Sequence, residues 1–90
     1  MNLKPEVTRI LTREKMVSET ALARLKEKTL PLELEYGWST DTFLKKFDAG
    51  EVGDEQIFFR WYALAEAIKD WQTTWESVEE LLAGSELVRA

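Results

Sequence analysis

The side chains best able to do chemistry in this sequence are carboxylates, and Glu66 and Asp70 stand four residues apart among aromatic neighbours. At that spacing two carboxyls share one face of a helix. A paired-acid hydrolase would need one of them in an apolar pocket, where desolvation keeps it protonated as a general acid. No substrate-holding loop surrounds the pair and Lys69 adjoins Asp70, so both read as solvent-facing charges and enzymatic activity is not expected. The chain has no histidine and no cysteine. Ser–His, Cys–His and histidine–metal chemistry cannot be assembled from it alone, and thiolate sites and disulfides are excluded. The run Asp48-Ala49-Gly50-Glu51-Val52-Gly53-Asp54 has the acid density of a calcium loop, but Gly50 and Val52 occupy positions where oxygen ligands belong. The four glycines are all accounted for by helix ends and turns, leaving no phosphate-binding loop. The expectation is no catalytic residue, no metal and no cofactor.

Binding is another matter. Phe58-Phe59-Arg60-Trp61-Tyr62 holds four aromatics in five positions. At about 100° per residue they surround a helix rather than line one face. Trp61 and Phe58 can be covered by an N-terminal helix, whereas Phe59 and Tyr62 need another cover. That cover is either a short helix carrying Phe43 and Phe47, with Trp38 before it, or a second polypeptide. Trp71 and Trp75 lie beyond the reach of a short helix, so only the N-terminal helix or a partner can cover them. Tryptophan, tyrosine and arginine are the usual anchors of interfaces. Phe58, Phe59, Tyr62, Trp71 and Trp75 are therefore the candidate partner-contact residues.

The elements that hold these residues follow from periodicity. From Ile57, apolar residues recur at alternating steps of four and three: Trp61, Leu64, Ile68, Trp71, Trp75, Val78 and Leu82. Such a seam predicts one long helix over residues 54–83, capped by Asp54, ended by Gly84 and followed by a tail over 84–90. Residues 40–49 are predicted as a short helix, with Ser39 as its N-cap, Asp41 near its start and Lys45 and Lys46 near its end. Gly50 supplies the left-handed residue that stops it. Residues 13–36 are predicted as a helix with Thr12 as N-cap and Val17, Ala21, Leu22 and Leu25 toward the core. Pro31 falls inside it and predicts a kink or a break, because a proline inside a helix costs about 3 kcal/mol. Residues 1–12 are either an arm or further helix, their β-branched run also permitting a short strand. The fold class is all-α, a hairpin or bundle of long N-terminal, short middle and long C-terminal helices in a single domain over residues 1–90.

Composition bounds the partners. A chain of 90 residues has room for one marginal core, so help from association is plausible. No apolar run is long enough for a membrane span, and the opening MNLKPEVTR lacks the apolar stretch of a secretory signal, so a cytoplasmic protein is expected. Residues 1–30 carry seven Lys or Arg against four Glu, a net +3. Residues 31–90 carry five basic against thirteen acidic residues, a net −8. The basic segment offers Lys4, Arg9, Arg13 and Lys15 as DNA-phosphate contacts, a weak footprint with nothing that reads bases. The acidic segment suits a basic protein.

One longer pattern stands out. Tyr36-Gly37-x-Ser39-x-x-x-Phe43-Leu44-Lys45-Lys46-Phe47-x-x-Gly50-Glu51-Val52-Gly53-Asp54, followed by Phe58-Phe59 and Trp61-Tyr62-Ala63, resembles a family of small archaeal and bacterial antitoxin-like proteins encoded beside a short toxin. The resemblance covers roughly residues 13–75 and departs from the pattern at Pro31 and in the less acidic Asp54-Glu55-Gln56. It implies a helical antitoxin that covers its toxin's active surface. An acidic helix with aromatic anchors would suit a basic, ribonuclease-type toxin, with charge speeding encounter and the rings slowing release. The alternatives are a homo-oligomeric scaffold, paired through the long helices, and a DNA-binding regulator acting through the basic segment.

Overall fold

A computed structural model describes residues 3–89, with side chains described as far as Gly84. The fold is all-α: α1 (Pro5–Tyr36), α2 (Thr40–Asp48) and α3 (Gln56–Arg89). Two compact units divide the chain, one made of Met1–Leu22 and Asp70–Ala90, the other of Ala23–Lys69.

Helix α1 takes in most of the segment left open between arm and helix. Pro5 occupies its first turn, where a missing N–H costs nothing, and Thr8 N–H bonds the Lys4 carbonyl at 3.0 Å. Residues 5–12 are therefore helical rather than an arm, while Met1 and Asn2 lie outside the described residues. Thr12 is not a cap; its hydroxyl donates to the Thr8 carbonyl at 2.8 Å from inside the helix. Nor does Pro31 break α1, which runs through it to Tyr36. Proline removes the bond to the carbonyl four residues back, here that of Glu27. Glu27, Leu30, Pro31 and Leu34 are all exposed, so the freed carbonyl lies on the face open to water.

The covered face of α1 keeps Leu22 and Leu25 as expected but is centred about half a residue, or about 50°, further round. Ser18, Leu22, Thr29 and Leu32 are buried, and half-buried Thr8, Leu11, Lys15, Leu25 and Tyr36 complete a run with steps of three and four. Val17, expected in the core, is 45% exposed. The turn favours the seam that gathers Leu11, Leu22, Leu25 and Leu32, with Ser18 as the small residue that lets a neighbouring helix approach.

Within the Ala23–Lys69 unit, both ends of α2 are closed as its sequence dictates. Ser39 is the N-cap, its Oγ accepting from Thr42 N–H at 3.1 Å. At the other end Gly50, at φ +71°, lets Glu51 N–H reach the Lys46 carbonyl at 2.8 Å and Gly50 N–H reach that of Phe47 at 3.1 Å. This pair of bonds is a Schellman ending. Gly37, also at φ +71°, ends α1 with a bond to the Glu33 carbonyl at 2.9 Å. The core of the unit is Leu32, Phe43, Leu44, Phe58, Trp61 and Ala65.

Helix α3 begins two residues later than expected. Its first residue is Gln56, and Phe58 N–H bonds the Glu55 carbonyl at 3.0 Å, which puts Glu55 rather than Asp54 at the cap position. The Glu55 carboxylate folds back over Gly53, into space a Cβ there would occupy. The helix also passes through Gly84 to Arg89, so residues 84–89 are helical rather than a tail, and Ala90 lies outside the described residues. A glycine stops a helix when it can turn left-handed and cap it, and Gly84 keeps helical φ.

Candidate partner interface

The centre of the Ala23–Lys69 unit is the Trp61 ring. It is fully buried and lies parallel to Phe43, with centroids 4.0 Å apart and planes 2° apart. Tyr36 and Trp38, from the end of α1 and the turn after it, pack on it at 5.8 and 6.4 Å. Its Nε1–H donates to Thr40 Oγ1 at 3.1 Å, and Thr40 N–H donates to Glu33 Oε2 at 2.7 Å. These polar contacts tie the start of α2 to both long helices. Lys46 Nζ sits 5.3 Å from the Trp38 ring centroid and 3.8 Å from Glu51 Oε2, so it is engaged locally.

The ring stack continues outward through α2. Phe43 meets Phe47 at 5.8 Å, and Phe47 stacks on Tyr62 at 4.5 Å and meets Phe59 edge-on at 5.8 Å. Tyr62 is half-buried and Phe59 is 54% exposed. Phe47, Phe59 and Tyr62 thus form an aromatic surface fixed from beneath by a rigid stack. The end of α2 and the segment after it carry Asp48, Glu51, Asp54 and Glu55, all exposed, with no Lys or Arg between them. Glu51 is paired with Lys46, and exposed Lys45 and Arg60 flank the same rings, so residues 45–62 carry four acidic against three basic side chains, a slight acidic excess.

The five aromatic residues singled out by type and spacing fall in different places. Phe58 is 8% exposed and belongs to the core, against Tyr36 at 5.2 Å and Phe43 at 6.0 Å. Phe59 and Tyr62 are brought together by Phe47. Trp71 and Trp75 are half-buried and belong to the other unit. Phe47 is the residue whose part was understated: spacing marked it as a cover for Tyr62, and it is also the ring that aims Phe59 outward.

In the Met1–Leu22 and Asp70–Ala90 unit, Lys15 Nζ lies 2.6 Å from Glu79 Oε2 and 5.7 Å from the Trp75 ring centroid. Its charge is engaged by the carboxylate and the ring, which takes it out of the basic set. Lys4, Arg9 and Arg13 are exposed, the two arginines one helical turn apart on α1. Among the described residues no cluster of acidic side chains could hold a metal ion. No described helix is long and apolar enough to cross a membrane. Comparison with family models, with curated proteins and with solved structures finds no match to this chain in any of the three.

Proposed function

We propose that this chain is a non-enzymatic protein-binding module whose Phe47, Phe59 and Tyr62 surface grips a basic partner protein. The observation that carries the reading is Phe59: a large ring left 54% exposed at the end of a stack that holds it in place. A preorganised exposed ring loses little freedom on binding, which is what an anchor requires. Exposed Asp48, Asp54 and Glu55, together with the acidic balance of residues 31–90, support a basic partner.

The resemblance to antitoxins supplies the finer reading, in which that partner is a small basic toxin whose active surface this patch covers. The test is to ask whether the adjacent gene encodes a small basic protein, to co-express the two and score growth, and then to measure the purified pair by titration calorimetry. Neutralisation by the wild type and its loss on Phe59→Glu supports the reading. A neighbour that is harmless alone refutes the toxin assignment. Equal affinity of wild type and Phe59→Glu for a basic partner refutes the aromatic surface itself.

A further inference from the structure

Different amounts of buried contact hold the two units closed. In the Ala23–Lys69 unit three helices meet on Leu32, Phe43, Leu44, Phe58, Trp61 and Ala65. The Trp61–Thr40 and Thr40–Glu33 hydrogen bonds link all three of those helices. The Met1–Leu22 and Asp70–Ala90 unit has two helical segments, with no turn between them inside the unit. Of its described residues only Ser18, Leu22 and Val78 are buried, and the Ser18 hydroxyl donates to the Glu14 carbonyl of its own helix at 2.9 Å. The covered face of α1 here runs through Thr8, Leu11, Glu14, Lys15, Ser18 and Leu22, so two aliphatic side chains serve about four turns of helix. Thr8 Oγ1 is buried there without a hydrogen-bond partner. On the α3 side Trp71, Trp75 and Leu82 are half-buried. The Lys15 and Glu79 side chains are 30% and 41% exposed, so salt screens their pairing. Opening such a seam forfeits little apolar burial.

We infer that the Met1–Leu22 and Asp70–Ala90 unit is a clasp, which opens and recloses while the Ala23–Lys69 unit stays folded. Within one protein, local opening free energies run from near zero up to the global value, and buried contact sets where each segment falls. The unit with the aromatic core opens only in global unfolding. The two-helix unit opens at a smaller cost, and its two segments open together because each is the other's cover. Opening displays Trp71, Trp75 and Val78, which the closed seam covers in part or in full. It leaves the Phe47, Phe59 and Tyr62 surface as it is, since those rings and the stack beneath them belong to the other unit. The chain thus has one aromatic face on permanent display and a second shown intermittently. This clasp stands whether or not Phe59 anchors a partner.

Native-state hydrogen exchange of the full chain, read by mass spectrometry from zero to sub-denaturing urea, tests this. Amides of residues 12–22 and 74–84 exchange at least about tenfold faster than those of 29–36, 43–47 and 61–68, and their rates rise less steeply with urea because less surface opens. Val78→Ala, which hollows the seam from the α3 side, quickens exchange in both segments of the clasp by about tenfold or more. Thr40→Val quickens the Ala23–Lys69 unit by about fivefold or more and leaves the clasp at its wild-type rate, because the clasp opens without breaking the Trp61–Thr40 bond. Should Val78→Ala melt the whole chain, Thr8→Val gives the converse. It replaces the buried unpaired hydroxyl by a methyl and slows both segments by about fivefold. Equal rates and urea slopes in the two units overturn the proposal. So does a Val78→Ala effect confined to α3, which is fraying of one helix, or a Thr40→Val effect of equal size in both units, which is a single global opening.

Discussion

Replacing Thr40 by valine isolates one bond at the centre of the aromatic stack. Valine keeps the branched shape at the first position of α2 but removes the oxygen that accepts from Trp61 Nε1–H at 3.1 Å. Trp61 is fully buried, so no water replaces that acceptor. Leaving a buried donor unpaired costs about 1–3 kcal/mol. The added methyl, at a half-buried position, returns at most about 0.8 kcal/mol. The net loss is about 1–2 kcal/mol, which for a domain of this size lowers Tm by roughly 4–16 °C.

The cause is separable from general damage by a double-mutant cycle read by urea denaturation with far-ultraviolet circular dichroism. Trp61→Phe removes the donor itself, along with part of the ring that stacks on Phe43. In that background Thr40→Val orphans nothing, so its cost falls toward zero and the coupling is about 1–2 kcal/mol. A Thr40→Val protein as stable as wild type, or two losses that simply add, would show that this bond does not hold α2 against α3.

The two glycines that differ most in role answer alanine with opposite signs. Gly50→Ala forces a side chain into the left-handed region at φ +71° and lowers stability by about 1 kcal/mol, whereas Gly84→Ala, in open space inside α3, raises it by about 0.5–1 kcal/mol, both measured by denaturant midpoint. Pro31→Ala restores a helical N–H on the exposed face of α1 and raises stability by at most about 3 kcal/mol, read as an upward shift of the urea midpoint. Phe59→Ala lowers stability by only about 1 kcal/mol, since less than half the ring is covered, but weakens partner binding by about 30-fold or more, the loss of an anchor worth about 2 kcal/mol. A fall in stability as large as the fall in affinity would make Phe59 a core residue instead.

The local rules were legible because each depends on few neighbours. Ser39 as cap and Gly50 as left-handed stop follow from residue type at a helix end, and the seam from Ile57 to Leu82 follows from spacing. No residue of that seam is exposed. What spacing could not settle were choices between adjacent faces. Val17 and Ser18 point about 100° apart, and apolar content alone selects valine for the core. The structure selects serine, because the leucines at 11, 22, 25 and 32 align with it and a small side chain admits the facing helix. Phe58 and Phe59 pose the same problem with identical side chains, so composition carries no preference between them. The position of α2 decides it: Phe43 lies where Phe58 points, and Phe47 stands edge-on to Phe59 without closing over it. The exposed ring is thus set by a helix of nine residues whose own placement depends on Trp61 and Thr40. A run of aromatics announces that a surface exists, and only the packing of α2 says which ring belongs to it.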